Sequence, residues 1–456
     1  MSFPAHIFKS YDIRGLADTE LSEDLAYTLG RAYIHLLRKK NVDLEGKSIV
    51  VGYDMRPTSG PFHKALINGL TDEGFDVVNI GLATTPLFGF GCTYYDDHAA
   101  GIMVTASHNP AEYNGFKMTI GDGMPVGKGS GMEELRDMVE RGEFGEVQAK
   151  GTETQKNIRD DYYARLFELV PKESIKPLKI VVDCANGMGS ATFPQLLEQL
   201  PVEVEFMYLE PDGTFPNHEA NPLKIETLQD LQKRVVEVGA DFGFALDGDA
   251  DRIGLVDEKG NVVEASYVGA LVGLEILETN KQATMLYDLR SSQTVPDVWD
   301  DHGATTHKSK VGHANIKVQM RDTGATFASE LSLHLYYESM HYLESTDLSL
   351  LYVMQLLSKE QKPLTEIIEP LKTYHHSGEH NFEIENKDEV MQRIHDTYKA
   401  DAIEDLELDG IWMKFDWGWF SVRKSGTEPL LRLNLEARDA EIMQAKLAEL
   451  TASITQ

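Results

Sequence analysis

The sequence predicts an α/β protein with four domains around a central cleft: three sharing a related α/β core, and a smaller α+β fourth. Three observations predict it. Strand-like apolar runs alternate with helical stretches, the mark of α/β layering. One strand-and-turn plan recurs three times at long spacing, which points to related domains that each offer a loop to a shared cleft. The chain's 456 residues also exceed what one core accommodates.

The recurring plan starts with a β-branched or apolar run ending in Asp, followed by a basic or amide residue and small residues. It runs from Ile49 to Arg56, from Ile180 to Asn186 and from Met285 to Arg290. Each copy reads as a buried strand leading through a turn into a helix. A few dozen residues after each, another strand enters a polar turn. These are Gly101–Val104 into Thr105–Pro110, Phe242–Leu246 into Asp247–Arg252, and Ala325–Ala328 into Ser329–His334. Composition breaks place the expected domains at 1–151, 152–258, 259–372 and 373–456. The last differs from the others: strands near Ile411–Phe415 and Trp419–Val422 precede the basic turn Arg423–Pro429, then a strand and a terminal helix follow.

With 42% hydrophobic and 26% charged residues, the composition is that of an ordinary globular protein. The first residues show no cationic segment leading into an apolar one, and no run of about 18 apolar residues occurs, so neither a secretory signal nor a membrane span is expected. Cys92 and Cys184 are too few for a disulfide framework or zinc site, and a reducing cytoplasm is expected. The net charge of −31 argues against nucleic acid or an anionic membrane as a partner. Any anion site must therefore gather its cations locally.

Asp247, Asp249 and Asp251 alternate in a Gly-containing turn, a spacing that can converge three carboxylates on one hard cation. An EF-hand is rejected, although Glu258 sits where its final ligand would be. Arg252 stands where that loop needs Gly, and the flanks read as strands. Ser107 ends a strand beside His108 and Asn109, where it is either a nucleophile or part of a structural turn. The nucleophile-elbow pattern is absent, since Thr105 and Asn109 stand where it has glycines. Arg423-Lys424-Ser425-Gly426-Thr427 combines cations, hydroxyls and a glycine, and reads as a phosphate loop or a basic hairpin turn. Lys310, Gly312-His313 and Arg290 are weaker signals.

Taken together these residues resemble the α-D-phosphohexomutases, specifically the bacterial phosphomannomutase/phosphoglucomutase branch, along essentially the whole chain. The resemblance rests on Tyr11-Asp12-Ile13-Arg14-Gly15, Thr105–Pro110, Asp247–Arg252, Glu330-Leu331-Ser332 and Arg423–Pro429, in the family's order. It implies that Ser107 is phosphorylated. It also implies that Asp247, Asp249 and Asp251 bind Mg2+ together with a phosphoserine oxygen. His108 and Arg252 join the catalytic set, with Lys117 or His313 as proton carrier. Glu330, Ser332 and His334 face the sugar, while Arg423, Ser425, Gly426 and Thr427 bind the phosphate that is not reacting. Tyr11, Arg14 and Arg290 match further substrate-binding positions.

The implied reaction moves phosphate between the 1- and 6-positions of mannose or glucose through a hexose 1,6-bisphosphate, which also serves as activator. A hexose phosphate is the expected partner, and a monomer the expected assembly. The sugar loop departs from the family's G-E-x-S-G-H: Ser329 replaces the first Gly and Leu333 the second. A phosphoglucosamine mutase is the rival enzyme, though its usual Gln is Leu331 here. A non-catalytic sugar-phosphate-binding protein is the rival of another class.

Overall fold

A computed structural model describes residues 3–147, 149–425 and 430–456. The chain forms two compact units: Met1–Val263 with Ser332–Thr365, and Glu264–Leu331 with Glu366–Gln456. Among the described residues, no helix is long and apolar enough to cross a membrane.

The first unit opens with a seven-stranded sheet. Its central strands Ser48–Tyr53, Val77–Leu82 and His98–Val104 run parallel, and Tyr113–Ile120 returns antiparallel to the last of these. All seven residues of His98–Val104 are buried, so this strand is apolar throughout rather than alternating, as a strand covered on both faces must be. Fully burying each large aliphatic side chain contributes about 1.5–3 kcal/mol. Helix Glu23–Lys39 packs on helix Ser59–Asp72. It starts at Ser22, whose hydroxyl accepts from the Leu25 N–H at 3.1 Å, and it carries acids in its first turn and bases in its last. A Cβ at Gly69 would lie 2.1 Å from the Tyr27 carbonyl oxygen, so only glycine permits this approach of the two helices.

A second, five-stranded sheet carries Leu178–Asp183 parallel to Phe242–Leu246, which pairs antiparallel with Ile253–Asp257. The serine loop and the acidic loop thus occupy equivalent positions. Each joins a buried parallel strand to an antiparallel return. Hairpin Leu335–Glu344 and helix Thr346–Glu360 complete the unit.

In the second unit Thr284–Asp288 lies parallel to Thr305–Ser309 and to Phe327–Ser329. A separate antiparallel sheet orders His375–Glu383, Leu430–Ala437, Gly418–Lys424, Ile411–Phe415 and Glu404–Leu406. Helices Lys387–Tyr398 and Ala440–Thr455 accompany it over a core that includes Phe420, Leu433, Ile394 and Leu450. This is the expected small α+β element.

The threefold plan is also visible in the turns. Oδ1 of Asp54, Asp183 and Asp288 accepts the N–H two residues on, from Arg56, Ala185 and Arg290, at 3.0, 2.8 and 2.7 Å. Each strand-ending aspartate folds its own turn in the same way.

Candidate active site

Ser107 is 3% exposed and adopts a left-handed backbone, φ 49°. Its N–H donates to Thr105 Oγ1 at 2.9 Å, and its hydroxyl donates to Asp247 Oδ2 at 3.0 Å. His108 Nδ1 lies 3.2 Å from the same hydroxyl. Burial, with Arg252 and Arg14 adding to it, holds the His108 imidazole well below its usual pKa, so it is neutral.

One oxygen from each of Asp247, Asp249 and Asp251 falls within 4.8 Å of the others, with all three residues buried. Burial pushes the Asp247 carboxyl up to about 8, reinforced by Asp251 and Asp249. Asp249 Oδ1 is buried with no hydrogen-bond partner. Three crowded carboxylates, one protonated for lack of countercharge and one with an unpaired oxygen, are a donor set that a divalent cation satisfies. Lys117 offers partial compensation, its ammonium donating to Asp249 Oδ2 at 2.7 Å and Asp251 Oδ2 at 2.6 Å. Burial opposes that charge, but the two carboxylates outweigh it and raise the lysine pKa. Arg252 Nε lies 3.7 Å from Asp247 Oδ2.

Gly248 makes the meeting of the two loops possible, because a Cβ there would lie 2.4 Å from the Ser107 carbonyl oxygen. His334 Nε2 is 3.2 Å from Asp251 Oδ1, and its Nδ1 is 2.9 Å from Ser332 Oγ. Arg14 donates to Asn109 Oδ1 at 2.5 Å and pairs with Asp12. Tyr11 is partly buried just before strand Ile13–Leu16. The first unit therefore brings together Ser107, His108, Arg14, Lys117, the three aspartates, Arg252, Ser332 and His334.

The second unit holds the rest of the predicted set. Glu330 is buried, accepting from the Gly312 N–H at 3.1 Å and from Arg290 Nη2 at 3.4 Å. His313 is the first residue of helix His313–Thr323. Arg423 is 4% exposed and donates to Glu379 Oε2 at 3.0 Å, while the Ser425 N–H donates to Leu430 O at 2.9 Å. Gly426 and Thr427 lie outside the described residues. Glu330 and Ser332, read from the sequence as one motif, fall in different compact units. Leu333 is buried and left-handed, φ 70°, so a leucine takes the glycine-like conformation itself.

Three residues with no role assigned from sequence support this site. Arg56 pairs with Asp54 at 3.2 Å and donates to the carbonyls of Ser107, Asn109, Pro110 and Tyr113 at 2.9, 2.6, 2.7 and 2.8 Å. Thr85 Oγ1 donates to Asp249 Oδ2 at 2.6 Å, and Thr346 Oγ1 donates to the carbonyl of left-handed Ala250 at 2.6 Å. Arg56 did carry a signal, since it occupies the same Asp-x-Arg position as Arg290; the threonines carried none. Arg56→Ala strands a buried carboxylate and four carbonyls. It should cost about 3–5 kcal/mol in urea unfolding, and a loss below about 1 kcal/mol would show that the loop is held by other contacts.

Four domain signatures match in order. They are phosphoglucomutase/phosphomannomutase alpha/beta/alpha domain I over residues 5–146, domain II over 160–260, domain III over 264–374 and the C-terminal domain over 379–453. The chain is 38% identical to a phosphomannomutase of Methanocaldococcus jannaschii, covering 97% of this chain and 96% of that relative. It is 36% identical to one of Escherichia coli K12, with 96% of each covered. The crystal structure of a phosphoglucomutase/phosphomannomutase family protein from Burkholderia thailandensis superposes with a TM-score of 0.90 at 27% identity, over 100% of this chain and 98% of that one.

Proposed function

Since the chain belongs to the phosphoglucomutase/phosphomannomutase family and is a hexose phosphate mutase, we propose that it works through phosphorylated Ser107, exchanging phosphate between the 1- and 6-positions of mannose or glucose. The observation that carries this is the Ser107 hydroxyl donating to Asp247 at 3.0 Å, within a cluster of three buried carboxylates.

Asp247, Asp249 and Asp251 would hold Mg2+ with an oxygen of the phosphoserine, and the ion would supply positive charge where phosphoryl charge accumulates. A phosphoserine carries roughly −1.5 to −2 charge, which Arg252 and the Lys117 ammonium help to balance. Phosphoryl transfer needs positioning more than covalent chemistry. Arg56 provides it by fixing the serine loop through four carbonyls. His108, neutral at the serine oxygen, orients the hydroxyl without adding charge. Proton transfer at the sugar hydroxyl is assigned to Lys117, with His313 the alternative. While paired with Asp249 and Asp251, Lys117 keeps its proton, and it could accept one from the sugar only where a bound cation took over those two carboxylates. Transfer forms a hexose 1,6-bisphosphate, which reverses its orientation and returns its other phosphate to Ser107.

Glu330, Ser332 and His334 are assigned to the sugar, and Arg423 and Ser425 to the phosphate that is not reacting. The phosphomannomutase relatives favour mannose. Coupled assays on mannose, glucose and glucosamine 1-phosphates test this, and a preference for glucosamine would replace the sugar assignment.

Arg423 supplies planar, paired donors that a lysine cannot reproduce. Arg423→Ala should raise KM for hexose phosphate roughly ten- to a hundredfold, while Ser107 still accepts phosphate from a bisphosphate. Lower thermal stability with unchanged KM would instead mean that Arg423 serves only its pairing with Glu379, and the phosphate site would lie elsewhere.

A further inference from the structure

A cavity of about 600 Å³ in the first compact unit shares no lining residue with the serine loop or the carboxylate cluster. It opens between helix Ser59–Asp72 and the parallel strands Ser48–Tyr53, Val77–Leu82 and Glu153–Gln155, towards their carboxyl ends. In open α/β sheets, ligands bind outside those ends, and the volume suits a small molecule.

The lining groups specify the chemistry. His63 is 6% exposed, and its ring centroid lies 4.5 Å from that of Tyr53. Burial pushes its pKa down to about 4, so the imidazole is neutral. Its Nε2 is buried with no hydrogen-bond partner. A hydroxyl satisfies a neutral imidazole nitrogen in either tautomer, because it both donates and accepts. Asn79 next to it is already engaged: Nδ2 donates to Glu153 Oε1 at 2.6 Å, and Oδ1 accepts from the Gly81 N–H at 2.9 Å. The bond to Glu153 orients its solvent-exposed carboxylate at the edge of the cavity.

Lys64 and Lys156 line the same cavity. Neither forms an ion pair among the described residues, and the Lys156 ammonium sits 3.4 Å over the Tyr95 ring. In a chain with net charge −31, two lysines without carboxylate partners at one cavity make a local site for an anion.

We propose that this cavity binds a second molecule of hexose phosphate, its hydroxyls meeting His63 Nε2 and Glu153 and its phosphate meeting Lys64 and Lys156. The ligand class rests on the function proposed above, but the site does not depend on Ser107 or on the metal. Equilibrium dialysis of the full chain with labelled mannose 6-phosphate should give two binding equivalents. The exposed-side double variant Lys64→Glu/Lys156→Glu should weaken one of them by at least ~10-fold, the scale of a lost charged contact, while turnover at saturating substrate stays at the wild-type rate. Unlabelled inorganic phosphate should displace that equivalent far less well than unlabelled mannose 6-phosphate.

A single equivalent in the wild type, or two unweakened equivalents in the double variant, overturns the site. Equal displacement by inorganic phosphate overturns its sugar chemistry. Arg423→Ala separates the two readings, because it should weaken only the catalytic equivalent. If it weakens neither, the phosphate assignment of Arg423 is what fails.

Discussion

Ser107→Ala lowers mutase turnover by at least ~10^3-fold, the scale of removing a nucleophile, and abolishes phosphate incorporation from hexose 1,6-bisphosphate. The argument is geometric. Ser107 Oγ is held between Asp247 Oδ2 at 3.0 Å and His108 Nδ1 at 3.2 Å, on a loop that Arg56 fastens through its carbonyls. Alanine removes the attacking oxygen while leaving those main-chain bonds in place, so the variant should unfold at the wild-type urea concentration. Peptide mass spectrometry after exposure to the bisphosphate is the direct check. Phosphate on a different residue, with Ser107 always bare, would end the nucleophile assignment whatever the rates.

Removing divalent metal with excess EDTA abolishes activity, and Mg2+ restores it. Three buried carboxylates, joined in the proposed mechanism by a phosphoserine oxygen, would form an all-oxygen set suited to a hard cation. A second readout needs no turnover. Without metal, Asp247 keeps its proton up to about pH 8, whereas in the unfolded chain it loses it near the usual carboxylate value. Between those limits the folded state binds the extra proton, so the metal-free protein loses stability as pH rises. Bound Mg2+ favours the ionised cluster, so its stabilising effect in thermal unfolding should be larger at pH 8 than at pH 5. Full activity in EDTA, or a Tm gain that shrinks as pH rises, would remove the metal from this loop.

What could be read from the sequence was local. Ser107 and the three aspartates stand in turns directly after buried strands, and the aspartates alternate within five residues. Spacing alone therefore singled out the acidic loop and left Ser107 as either a nucleophile or a structural turn, while the repeated strand-and-turn plan set the two loops at corresponding places. The supporting contacts are distant in sequence. Arg56 reaches the Ser107 carbonyl across 51 residues, Thr346 reaches Ala250 across 96, and Thr85 reaches Asp249 across 164. No periodicity encodes such pairs. Leu333 is a partial case. Sequence flagged a bulky residue where the family has glycine, but not that its backbone would adopt φ 70°, a strain of roughly 1–2 kcal/mol. Burial of its side chain, 6% exposed, offsets that strain.

The burial and left-handed backbone of Ser107 also seal its covalent history. Kinases and phosphatases act on accessible peptide, and this serine is 3% exposed under a loop clasped at four carbonyls. Outside enzymes reach it only through local unfolding. On the proposed mechanism, a phosphate placed there would be written and erased by the sugar phosphates that the protein itself admits. Its phosphorylation state would then report that molecule's own last turnover rather than the action of another enzyme.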